Sequence, residues 1–204
     1  MKTTKKGFTL IELIVVIAII GVLAAILVPT MLGYVRKSKL SSANSTASSV
    51  YKAINSALTE LDEEGIDVGG TYLLTYDTST NKWSSTGGVA GGEGGSKTVE
   101  MSSEANKTKF TTKVSNFFAD IDKVKQGCQA QMSGGACIAC AIASDSTYTG
   151  TYPAGVITSD NYATYSSKVG DALTAAISQA GYEKDKDGNY VKKSGTTTKA
   201  PETP

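Results

Sequence analysis

Few residues in this chain have the chemistry of a site. Glu12 is the single charged side chain between Phe8 and Met31. A carboxylate at bilayer depth costs roughly 2.5 to 3.5 kcal/mol on insertion scales, so it calls for a cationic partner or for the positive end of its own helix, about 6 Å away. Asp185, Asp187 and Asn189 open like a calcium loop, D-x-D-x-N, but no glutamate follows at the twelfth position. Histidine is absent, which removes the usual proton shuttle and the commonest metal ligand. No catalytic residue, metal or cofactor is expected, and the chain does not read as an enzyme. Lys2, Lys5 and Lys6 set aside, 17 basic side chains face 19 acidic ones, a balance of −2 with no basic field for nucleic acid.

The element that must position Glu12 is a helix. Phe8 to Val28 is 21 residues, about 31 Å at helical rise, the thickness of a bilayer core. The short N-terminus is expected to stay cytoplasmic and the larger C-terminal part to lie outside. Gly21 and Pro29 bracket a stretch of weakened helix, because glycine costs about 1 kcal/mol against alanine and proline removes a hydrogen bond. A kink is the alternative there. Leu32, Val35, Leu40, Ala43, Ala47, Val50, Ile54, Leu58 and Leu61 then recur at helical spacing as one apolar stripe.

Gly7-Phe8-Thr9-Leu10-Ile11-Glu12, the lysines before it, the apolar run after it and Pro29, 21 residues beyond Phe8, resemble the type IV pilin N-terminus over roughly the first 55 residues. An ordinary signal sequence would be cut after its apolar region and lose it. The resemblance implies instead cleavage between Gly7 and Phe8 by a prepilin peptidase, methylation of the Phe8 amine and retention of the helix. It implies that Glu12 pairs with the Phe8 amine of a neighbouring subunit and sets register. Pairing with its own helix start is the alternative. It implies partial melting of residues 21–29 in a filament. The implied partners are further copies of the chain in a helical filament, the peptidase, an inner-membrane platform protein and an assembly ATPase. The implied location is the cytoplasmic membrane for the precursor and then a pilus on the cell surface. A pseudopilin of a secretion or competence apparatus is a second reading. A minor tip subunit that binds a surface through Tyr148, Tyr152, Tyr162 and Tyr165 is a third.

The expected fold is α+β, a long N-terminal helix packed on a small antiparallel head with short helices. Its segments are a leader (1–7), a membrane and filament-core helix (8–31), an amphipathic continuation (32–64), a head (65–193) and a disordered tail (194–204). In the head, Thr71–Tyr76 reads as a strand and Asp77–Glu100 as a glycine-rich loop. Val114, Phe117, Phe118, Ile121 and Val124 read as a helix ended by Gly127. Cys128–Met132 and Ala136–Ala143 form a hairpin whose three-residue turn sets Cys128 opposite Cys140. Cys128, Ala130, Met132, Ile138, Cys140 and Ile142 then share the buried face, and Gln129 and Gln131 point outward. This register predicts a Cys128–Cys140 disulfide with Cys137 unpaired, and three buried thiols are the alternative. Pilins commonly close a disulfide near the C-terminus, from which this spacing departs. Cys137-Ile138-Ala139-Cys140 lacks the helix N-terminus of a redox dithiol, and in a strand its cysteines face opposite ways. Val169–Ala180 reads as a third helix ended by Gly181, and Tyr182–Lys192 as a hairpin around Asp187-Gly188. Asn44 and Asn106 fit the glycosylation pattern N-x-S/T.

Overall fold

A computed structural model describes residues 7–89, 103–124 and 126–193. Lys2, Lys5 and Lys6, the glycines at 91, 92, 94 and 95, and the tail 194–204 lie outside the described residues. The chain divides into two compact units, Met1–Ser38 and Lys39–Pro204. Helix α1, Leu10–Glu63, contributes to both.

The second unit is a layered α+β head. A five-stranded antiparallel sheet has the order β2-β1-β3-β4-β5, from β1 (Thr71–Asp77), β2 (Lys82–Val89), β3 (Cys128–Ser133), β4 (Ala136–Ala143) and β5 (Thr149–Tyr152). One face meets the apolar stripe of α1, where Ala47, Val50, Ile54, Leu58 and Leu61 are buried with Tyr72, Leu74, Cys128, Met132 and Ile142. The other face carries helix α3 (Val169–Gln179), whose Ala172, Leu173, Ala176 and Ile177 pack with Ile138, Ala139, Ala141 and Ala143. Each buried Leu or Ile gains about 1.5 to 3 kcal/mol on leaving water, so these two clusters are what hold the layers together. Strands β6 (Tyr182–Lys184) and β7 (Tyr190–Lys192) form the separate hairpin around Asp187-Gly188.

Several sequence expectations need correction. Residues 82–89 are not loop but β2, because Trp83, only 2% exposed, is held between the Tyr76 ring at 5.3 Å and the Phe110 ring at 5.8 Å. Helix α2 is Glu104–Phe117, capped by the Ser103 hydroxyl, which accepts from the Asn106 N–H at 3.2 Å. It lies earlier than predicted, and the chain breaks at Phe118 (φ −140°) into a short 3-10 turn, Ala119–Lys123. Phe117 is exposed; Phe110 and Val114 from α2, with Ile121 and Val124 beyond it, fill the core.

The β3–β4 register is also displaced. The turn is the two residues Gly134 and Gly135, both at positive φ (62° and 84°), with Ser133 opposite Ala136. Two successive positive φ values suit glycine and give a tight primed turn. A bulge follows: Met132 pairs with Cys137 and Gln131 with Ala139, leaving Ile138 as the extra residue. That residue flips the alternation. Cys137 therefore joins the α1-facing cluster with Cys140, and Ile138 turns to the α3 side. Gln131 is buried, its amide donating to the Tyr72 and Met132 carbonyls at 3.0 Å each.

Candidate processing and assembly site

The first unit presents the N-terminal site. Gly7, Phe8 and Thr9 are non-helical, and α1 begins at Leu10. The Gly7–Phe8 bond thus lies in exposed, irregular backbone, the form in which a protease takes a chain. A methyl at Gly7 would meet nothing within 4 Å, so the fold does not require glycine there. Phe8 is 83% exposed.

Thr9 caps the helix, and Glu12 closes the cap. The Thr9 N–H donates to Glu12 Oε2 at 2.8 Å, and the Thr9 hydroxyl donates to the same oxygen at 2.7 Å. The Glu12 N–H donates in return to Thr9 Oγ1 at 3.3 Å. This is a capping box: the N-cap hydroxyl and the carboxylate three residues on satisfy donors that the helix start would leave open. Both donors converge on Oε2, so Oε1 faces no donor of its own chain among the described residues. Glu12 is therefore oriented by its own helix start, with one oxygen outside the cap. The T-x-x-E spacing of Thr9 and Glu12 is the signal from which Thr9 could have been read beside Glu12.

The rest of the span is uniformly apolar and unburied. Its richest 18-residue window has a mean hydropathy of 3.2 with no share buried inside the protein. Gly21 and Pro29 are both helical within α1. A methyl at Gly21 would meet nothing within 4 Å. Beside Pro29, which has no N–H to donate, the Thr30 hydroxyl bonds the Leu27 carbonyl at 2.9 Å.

In the second unit, all three cysteines are buried free thiols. Cys128 Sγ and Cys140 Sγ lie 3.8 Å apart, although the register sets Cys128 opposite Ile142 and Cys140 opposite Ala130. The sulfurs meet on the diagonal, and the predicted register with Cys128 directly opposite Cys140 is overturned. Cys137 Sγ instead donates to the Ala139 carbonyl at 3.4 Å. Burial pushes the Cys128 and Cys137 thiols well above the ordinary cysteine range. Asp185 Oδ1 is taken by the Asp187 and Asn189 N–H groups at 3.0 and 2.8 Å, and among the described residues no cluster of three ligating side chains could hold a metal. Asn44 is half-buried and accepts from the Thr151 N–H at 2.9 Å, so its amide is already engaged in the fold; Asn106 lies in the first turn of α2. Of the four tyrosines, Tyr148 stacks on Tyr162 at 5.3 Å, while Tyr152 meets Tyr51 of α1 in a tilted contact at 4.1 Å.

The model of the prokaryotic N-terminal methylation motif matches residues 2–28, the stretch holding Gly7, Phe8, the cap and the span. A type IV major fimbrial protein FimA of Dichelobacter nodosus is 36% identical over 116 residues, 55% of this chain and 71% of that protein. The chain belongs to the type IV pilins. Another FimA of the same species is 41% identical over 80 residues, covering 38% of this chain and 51% of that pilin. The fimbrial protein EcpC of Eikenella corrodens is 33% identical over 133 residues, 57% of this chain and 86% of that protein. The matched share of these pilins thus runs from about half upward, and 45% of this chain lies outside the 36%-identical match. No solved structure matches this pilin.

Proposed function

We propose that this pilin is the major structural subunit of an extracellular filament, polymerised through α1. The observation that carries the proposal is the joint presence of the methylation motif over residues 2–28 and relatives named major fimbrial proteins. Those names give no support to the pseudopilin or tip-subunit readings. Prepilin peptidase cuts between Gly7 and Phe8 and methylates the new amine. Among the described residues nothing lies within 4 Å of a methyl at position 7, which supports a requirement for glycine set by the enzyme.

Assembly follows from the same geometry. In the bilayer monomer, Thr9 satisfies one oxygen of Glu12, which reduces the cost of holding a carboxylate at that depth. The other oxygen receives the Phe8 ammonium of a neighbouring copy, and this charge-assisted bond sets the axial register of the incoming helix. Burial of the apolar surface of α1 against other copies supplies the driving force once the helix leaves lipid for the filament. Gly21 and Pro29 mark where α1 yields in the packed filament. The platform protein and ATPase of the assembly machine act on the chain at the cytoplasmic membrane, and the head faces outward.

The test is the intact mass, with N-terminal fragmentation, of the dominant protein sheared from cells carrying this chain. Methylated Phe8 at its N-terminus is the expected result. A mature chain confined to membranes would remove the filament reading, and a cut beyond Val28 would remove the processing.

A further inference from the structure

We propose that Cys128 and Cys140 are an oxidation site: outside the cytoplasm they form a disulfide stapling β3 to β4 beneath α1, and Cys137 remains a thiol. The inference rests on the outward-facing head of the filament reading. Sulfur contact distinguishes this pair from the other two. Cys137 and Cys140 lie on one strand, three residues and about 10 Å apart along it, and Cys137 pairs with Met132, four residues or about 13 Å from Cys128 along β3. Both separations exceed the roughly 7 Å that a disulfide tolerates between Cα atoms. Cys128 and Cys140 already touch, their sulfurs 3.8 Å apart and both residues fully buried. As diagonal neighbours their Cα atoms stand about 7 to 8 Å apart, at the upper limit for a bridge, so closing the sulfurs to about 2.05 Å also draws β3 and β4 together.

The bulge at Ile138 leaves the third thiol with a different partner. Cys137 Sγ donates to the Ala139 carbonyl, and the Cys137 N–H donates to Asn55 Oδ1 of α1 at 3.0 Å. Both bonds hold it in place on β4.

The oxidant is an extracytoplasmic protein disulfide donor. A thiolate of the pair attacks one donor sulfur, forming a mixed disulfide and releasing the other donor sulfur as a thiolate. The second cysteine of the pair then attacks the first one's sulfur and releases the donor as a dithiol. Two electrons and two protons pass to the donor. Because both residues are sealed in the finished head, the exchange takes place before α1 closes over the sheet.

The experiment uses the full chain, from membranes and from sheared material, denatured without reductant in the presence of an alkylating agent and weighed. The expected result is one alkylated thiol before reduction, mapped to Cys137, and three after. C128S and C140S are expected to leave two alkylated thiols without reduction, and C137S none. Three alkylated thiols in the untreated native chain, or a bridge containing Cys137, overturn the proposal. Protease digestion of the head on intact spheroplasts tests its outward location separately: a digestible head with three free thiols sinks the bridge alone, and a protected head sinks the location.

Discussion

At the scale of single residues, function and stability reside in different places. Glu12→Gln keeps the size of the side chain and can still accept from Thr9, but it cannot pair with an ammonium. Insertion and cleavage are therefore expected to be normal and sheared filament yield to fall at least tenfold, measured by immunoblot of cell and sheared fractions. Wild-type yield would remove the ion pair from the mechanism. Thr9→Val removes one of the two donors to Oε2 and the acceptor for the Glu12 N–H, and the expected loss is smaller because the Thr9 N–H remains. In the head, Gly150 has no room for a methyl: it would overlap the Ala43 carbonyl and the Asn44 backbone nitrogen of α1. Gly150→Ala is expected to cost about 1 to 3 kcal/mol, the range for overpacked sites, read as a lower denaturation midpoint of the detergent-solubilised chain. An unchanged midpoint would show that β5 moves aside freely.

At the scale of elements, the helices finish the sheet. Its two edge strands offer unpaired N–H groups, a template for aggregation. The Thr151 N–H of β5 is taken by Asn44 of α1, and the Trp83 N–H of β2 donates to the Thr111 hydroxyl of α2 at 3.2 Å. Asn44→Ala leaves that N–H without its partner and is expected to cost about 1 to 3 kcal/mol. Lys113 of α2 bridges Glu60 at 2.7 Å and Glu64 at 2.8 Å, tying α2 to the end of α1. The β1–β2 turn is fastened by Asp77, which accepts from the Ser79 N–H and hydroxyl and from the Thr80 hydroxyl. Hydrogen bonds from Ser79, then Thr80, hold its carboxyl down at about 2, from an ordinary 3.8. A depressed carboxylate adds stability above its unfolded pKa and loses it as pH falls through the folded one, so this contribution fades between about 4 and 2. Melting curves across that interval are expected to show a smaller acid loss for Asp77→Asn than for wild type. Equal slopes would detach the turn from the acid response.

At the scale of the whole molecule, two regions of opposite surface chemistry share one chain. From Phe8 to Val35 the large apolar side chains are exposed to solvent in the isolated subunit, while the head buries its own. A protein with that first surface needs lipid or copies of itself around it. Filaments held by apolar helix burial are expected to survive molar salt, which screens ion pairs, and to dissolve into subunits in a detergent that solvates apolar helices, as followed by sedimentation. Dissolution by salt alone would place the driving force in the charges.

What the sequence determined by itself was whatever depends on local order. The apolar helix, the methylation motif, the stripe of α1, α3 and the β6–β7 hairpin follow from hydrophobic periodicity, a motif and turn glycines, all contained in short windows. Glu12 was legible because charge is so costly in an apolar run, and Thr9 was equally legible in the T-x-x-E spacing. Tertiary structure decided the rest. Lys82–Val89 becomes a strand because Trp83 finds Tyr76 and Phe110 across the chain, although Gly87 and Gly88 argue locally for loop. The two-residue turn set Cys137 opposite Met132, and with the bulge at Ile138 it placed Cys128 diagonal to Cys140. With a side-chain period of two, a one-residue change in the turn and a one-residue bulge each reverse the faces, so only the stretch between them, Cys137 and Ile138, is exchanged, and packing between α1 and α3 selects where the bulge goes.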